Sequence, residues 1–419
     1  MNSGPLRALS GLLSALFWVY AVLMPGPAVA WSPLAVSDDP LLRIPGTQPG
    51  QVVLEGPSQC TNCHDDFNSA TEPGAWQGSM MGQAARDPIF WAAMTVAGQD
   101  SIWAIGRPNA TDLCLRCHFP QGWLEGRSDP TNASLMQGSD FDGVHCGLCH
   151  RLTDPFFETT YLGIREGADW LNYWDETDLS DTPSADAASG AYLLDEAASA
   201  TIGLFNGNPF FEPGSNLPHS PAYTENAGGQ FFVDPAGDRR GPFADANASH
   251  AMVYSRYHKS KYFCSTCHDV SNPVLANLDY ADTTPNDGVT VLPSELDSAH
   301  SYGHVERTFS EFMLSDFGLP GGAPGSGPYA PEVFSTSLDN NHIARCQDCH
   351  MPDVEGKAAS QSKAVLRPGE STEHPMSGVP SHDMTGGNVW VPWILASCDP
   401  NSPNYDTGNL AILGQGSNV

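Results

Sequence analysis

Apolar residues are unevenly spread along this chain. From Leu9 to Met24 they run almost unbroken behind Arg7, and Pro25-Gly26-Pro27 interrupts them ahead of Ala28-Val29-Ala30. A basic start, a short apolar segment and a small-x-small site form an export signal with cleavage before Trp31. The run is short for a bilayer span, and no later run is long enough, so no stable membrane anchor is expected after cleavage. Helical periodicity stands out at two later places. Asp87 caps a helix beginning at Pro88, with Ile89, Phe90, Ala93 and Ala97 inward and Gly98 as its end. Thr308 and Glu311 read as a capping box before Phe309, Phe312, Met313 and Phe317, and Gly318 and Pro320 stop the run. The stretch from Asp175 to Ala200 is acidic and rich in Ala and Ser, the pattern of a loop or peripheral helical insertion.

Composition changes this picture in two ways. The 41 Gly and 35 Pro among 419 residues predict many loops and short elements instead of long helices or extensive sheet. The 18 basic against 48 acidic side chains give a formal charge of −30. That excludes a nucleic-acid-binding face, disfavours anionic lipid and calls for partners with basic docking patches.

The 11 cysteines of an exported chain would ordinarily suggest disulfides. Their spacing argues otherwise, because ten of them form Cys-x-x-Cys pairs, each followed directly by His. The five motifs are Cys60–Cys63–His64, Cys114–Cys117–His118, Cys146–Cys149–His150, Cys264–Cys267–His268 and Cys346–Cys349–His350. His supplies only 14 residues of the chain, so five such coincidences are a signature, that of c-type haem attachment. Two thiols three positions apart lie on one face of a helical turn and reach the two vinyl groups of one porphyrin. The adjacent imidazole is then the proximal iron ligand. Zinc knuckles would pair the motifs, and five is odd; redox dithiols have no use for the His. Cys398 stands alone as an inert thiol.

Five covalently bound haem c groups would supply much of the apolar interior, and the apoprotein should fold poorly without them. The expected fold is mainly α with extensive loops and little β, organised around the haems. Its expected parts are a signal peptide at 1–30, a triple-haem region at 31–155 and a haem-free acidic insertion at 156–245. A double-haem region at 246–395 and a tail at 396–419 follow.

The sixth iron position decides between carrier and enzyme. Outside the motifs stand His145, His219, His250, His258, His300, His304, His342, His374 and His382. The distal candidates are His250 and His258, which precede the fourth motif; His304, before the Thr308 helix; His382, in a Gly-rich segment; and Met81. His145 is the weakest of the set. Abundant candidates favour six-coordinate irons, hence electron transfer over catalysis.

The motifs, with Trp76–Pro88, Asp142–His150, Cys264–Pro273 and His382–Trp390, resemble the multihaem c-type cytochromes. They are most similar to the tetrahaem electron-transfer cytochrome of ammonia oxidisers and its larger bacterial relatives. The resemblance covers roughly residues 55–395 without the acidic insertion. It implies a helical, loop-rich wrap around closely spaced haems that pass single electrons. In those relatives a Trp-x-x-Ser-x-His segment gives a distal His; here Met81 occupies that position. The expected function is electron transfer between redox proteins in the periplasm or outside the cell. One alternative is an oxidoreductase acting on nitrite or hydroxylamine at an open iron, with His300-Ser-Tyr302-Gly-His304 as the local cluster. Another is a subunit of an extracellular cytochrome filament. The pentahaem nitrite reductases resemble the chain in haem number, yet their Cys-x-x-Cys-Lys motif is absent from it.

Overall fold

A computed structural model describes residues 34–39, 42, 44–64, 72–157, 191–203, 228–271, 304–332, 336, 341–371, 377–384, 386 and 390–407. The export segment, most of the acidic run and His219, His300, Tyr302 and His374 lie outside the described residues. Helices dominate the described residues, and β-structure is confined to short two-stranded ladders. No helix among the described residues is long and apolar enough to cross a membrane. The described end of the acidic run forms the helix Ala191–Ser199.

The longest helix, Pro88–Ile105, starts as its sequence predicts: the Asp87 carboxylate accepts from Ile89 N at 2.8 Å and Pro88 occupies the first turn. It does not end at Gly98. Gly106, at φ 76°, closes it, donating its N–H to Ile102 O. Gly98 serves packing instead, since a Cβ there would lie 3.3 Å from Thr111 Cγ2. The buried stripe is Phe90, Met94, Gly98 and Ser101, at the helical repeat. Ile89, expected inside, is 62% exposed, and Ala93 faces out with it.

The helix Thr308–Leu314 forms, but without the expected capping box. Arg307 is its N-cap and makes no side-chain cap bond. Glu306 satisfies the first turn, its Oε1 accepting from Thr308 N at 2.9 Å and from the Thr308 hydroxyl. The strand His304–Glu306 pairs antiparallel with Val270–Ser271, with Glu306 opposite Val270, and thereby delivers this carboxylate to the helix start.

One cluster of buried residues joins the middle of the fold, among them Leu115, Trp123, Leu148, Phe231, Tyr262 and Phe309. Leu115 and Leu148 are the intervening residues of the second and third motifs, 0% and 2% exposed. Arg116, beside Leu115, is fully buried with its guanidinium 4.3 Å from the Trp123 ring centroid and 4.5 Å from that of Phe231. Gly46 admits this packing: at φ +105°, its Cβ would fall 2.5 Å from Phe231 O.

Candidate haem centres

Each motif begins or sits on a helical turn: Ser58–His64, Thr111–His118, Cys146–Cys149, Lys261–Ser265 and Cys346–His350. In the second to fifth motifs the two intervening residues are buried, whereas all ten cysteines are half-buried. The turns therefore face the core with their x positions and present thiols and imidazoles along the other side. Among the described residues no group of three or more His, Cys, Asp or Glu side chains closes into a cage for a bare metal ion. Paired thiols with an adjacent imidazole are the donors that would hold a macrocycle joined at two thiols with iron at its centre.

Three of the imidazoles expected as proximal ligands are oriented from behind. His64 Nδ1 donates to Ala358 O at 2.6 Å, His118 Nδ1 to Ala84 O at 3.0 Å and His150 Nδ1 to Arg240 O at 2.7 Å. A carbonyl only accepts, so each Nδ1 carries the proton and each Nε2 keeps its lone pair for a metal. The Ala358 carbonyl lies at the short ladder between Gly356–Lys357 and Leu366–Arg367, which folds over the first motif; Ser360 N there donates to Cys63 O at 2.8 Å. Arg240 lies in Arg239–Gly241, which pairs in parallel with Met252–Tyr254, and its own N–H donates to His150 O at 2.7 Å.

Short ladders also bring up two of the distal candidates. His250, just before Met252, has its ring centroid 6.4 Å from that of His64, with 43° between the planes. His382 follows Val379–Pro380, paired with Asp353–Val354 behind the fifth motif, and its ring lies 6.0 Å from His150 at 28°. Both donate from Nδ1 to a carbonyl, His250 to Ala251 O and His382 to Pro380 O, each at 3.0 Å. An imidazole–metal–imidazole axis spans roughly 6 Å between centroids when the metal–nitrogen bonds are about 2 Å. Both separations match that span.

His258 is also brought to the third motif. Its ring is 5.4 Å from His150, its Nε2 donates to Cys149 O at 2.8 Å and its buried Nδ1 has no hydrogen-bond partner. Burial, with His150 nearby, pushes its pKa down. Met81 is half-buried in the turn over 79–86, and its carbonyl accepts from Val144 N at 3.0 Å. Trp76 Nε1 donates to Val144 O at 2.7 Å and the Ser79 hydroxyl to Trp76 O at 2.7 Å, fixing this turn beside the third motif. His304 places its backbone opposite Ser271, three residues after His268. His145, buried, is occupied at both nitrogens: Nδ1 accepts from Gly147 N and Nε2 donates to Gln121 Oε1.

The motifs also touch one another. The thiols of Cys60 and Cys146, of Cys117 and Cys267, and of Cys264 and Cys346 lie near enough to shift one another's pKa. The neighbouring Cys146 pulls Cys60 down to about 7, and Cys60 pushes Cys146 up. Burial holds Cys114 and Cys149 at about 12. His258, six residues before Cys264, donates to Cys149 O and ties the third motif to the segment leading into the fourth.

Several groups at these centres carried no sequence signal. Phe90 stacks on His118 with centroids 3.9 Å apart and planes 13° apart. The carbonyls behind the proximal imidazoles, and Glu306 beside His268, come from distant segments that no local pattern marks.

Residues 59–151, which hold the first three motifs, match the family model "Cytochrome c554 and c-prime". The match covers a minority of the chain and supports a multihaem c-type cytochrome, the general family. No curated protein and no solved structure matches the chain.

Proposed function

We propose that this protein is an exported electron carrier with five haem c groups, working between redox partners in the periplasm or at the cell exterior. The haems, when bound, supply reversible one-electron chemistry. The chain attaches them through Cys60 and Cys63, Cys114 and Cys117, Cys146 and Cys149, Cys264 and Cys267, and Cys346 and Cys349. His64, His118, His150, His268 and His350 are the proximal ligands.

The observation that carries this reading is the contiguity of the five motifs. Attachment cysteines sit at the porphyrin edge, so neighbouring thiols from two motifs would bring two such edges together. The first motif lies beside the third and the fourth beside the second and the fifth, while His258 ties the third to the segment leading into the fourth. This leaves no motif isolated, as single-electron transport through the whole molecule requires. His64 with His250, and His150 with His382, are the proposed axial pairs. Met81, His258 and His304 are the remaining sixth-ligand candidates, with His258 an alternative to His382 at the third motif. The acidic surface selects partners with basic docking patches.

The test is the haem count of protein matured in an exporting, haem-attaching host. Denatured intact mass and alkaline pyridine spectra should both give five haems per chain, and Cys-to-Ala replacement of one pair should remove one. A count below five in the parent protein contradicts the proposal.

A further inference from the structure

Among His64, His118, His150 and His268, one imidazole has an Nδ1 neighbour that differs in kind. His64, His118 and His150 donate to neutral carbonyls of the backbone. His268 Nδ1 instead faces the Glu306 carboxylate, 3.8 Å from Oε2. That distance is ion-pair range and longer than a hydrogen bond. Oε1 is engaged by Thr308, while Oε2 is buried with no hydrogen-bond partner. The placement is built in. The antiparallel pairing sets Glu306 opposite Val270, and Phe309 N donates to His268 O at 2.8 Å, tying the start of the following helix to the proximal residue.

We infer that Glu306 is a positioning residue for the fourth iron, drawing on the Nδ1 proton of His268 and setting that centre at a lower potential than a carbonyl acceptor would. The inference rests on the five-haem reading. A carboxylate attracts the imidazole proton more strongly than a neutral carbonyl does, which raises the basicity of the ligating nitrogen. A more basic ligand favours the ferric over the ferrous iron. The location gives this consequence for function. The fourth motif lies beside the second at Cys117 and Cys267, and beside the fifth at Cys264 and Cys346, near enough for these thiols to shift one another's pKa. A low-potential centre at that junction holds electrons on the neighbouring haems until an acceptor draws them across.

The experiment is an optical redox titration of the haem-loaded, full-length protein and of Glu306→Gln, Glu306→Asp and the exposed-site control Glu311→Gln. Intact mass first establishes that the fourth motif carries haem in each. In Glu306→Gln one of the five single-electron components should move up in potential, its oxidised-to-reduced ratio at a fixed potential falling about tenfold, which is 59 mV for one electron. Glu306→Asp, which keeps the charge, should restore most of the difference, and Glu311→Gln should leave all five in place. Five attached haems with no component moved in Glu306→Gln would overturn the inference alone. Equal drift of several components would overturn it too, because that marks general loosening. An unmodified Cys264 and Cys267 in the parent protein would instead overturn the five-haem reading, and this inference with it.

Discussion

Asp112 lies on the helix of the second motif and is buried, with both carboxylate oxygens accepting from Trp123 Nε1 at 2.9 Å. Burial pushes its pKa up to about 6, against the opposing pull of hydrogen bonds from Trp123 and Ser128 and the Arg116 charge. An unfolded Asp releases its proton near 3.8. Between those two values the folded chain holds a proton that the unfolded chain has lost. Stability therefore falls as pH rises through this window, by at most about 3 kcal/mol. Asp112→Asn keeps an acceptor for Trp123 and cannot ionise. Its stability relative to the parent should rise between pH 4 and pH 6 and then level off, as read by urea unfolding of the haem-loaded proteins. A difference that does not change with pH would contradict the burial argument. At this scale the sequence is most informative where chemistry is local. The spacing of thiols and imidazole is set within five residues, so the attachment motifs can be read directly. The acceptors behind the imidazoles cannot, because Ala84, Arg240 and Ala358 contribute only carbonyls, which every residue has.

At the scale of elements, local signals fix beginnings better than ends. The Asp87–Pro88 start is a matter of one side chain and one ring, and the helix begins there. Its end depends on whether Gly98 is a stop or a point of close approach, and that is decided by Thr111, which lies at the start of another helix in the fold. The same logic defeats the Thr308 capping box: a strand paired with Val270–Ser271 supplies the carboxylate first. Gly98 yields a graded prediction. Gly98→Ala gains helix propensity of about 1 kcal/mol while its Cβ sits 3.3 Å from Thr111 Cγ2, so its melting temperature should stay near the parent's. Gly98→Val adds two methyl groups into the same gap and should lose about 1–3 kcal/mol. Calorimetry of the haem-loaded variants checks both, and equal stability of all three would remove the packing role given to Gly98.

For the molecule as a whole, the Gly and Pro content correctly anticipates short elements and little sheet, and the helical class follows from motifs that each need a turn of helix. What the sequence leaves open is which His meets which motif. His250 and His64 lie far apart in the chain and are joined by the ladders at Arg239–Gly241 and Gly356–Lys357, whose strands are two or three residues long. Strands so brief have no alternating pattern to read. The contiguity of the motifs is likewise a tertiary property, and the proposed function depends on it together with closed iron coordination. Carbon monoxide titration of the dithionite-reduced, haem-loaded protein tests that coordination directly. An unchanged Soret band at millimolar gas is the result expected of a carrier whose irons all hold two protein ligands. A stoichiometric shift of one haem in five would contradict it, showing an open iron and turning attention to nitrite and hydroxylamine turnover.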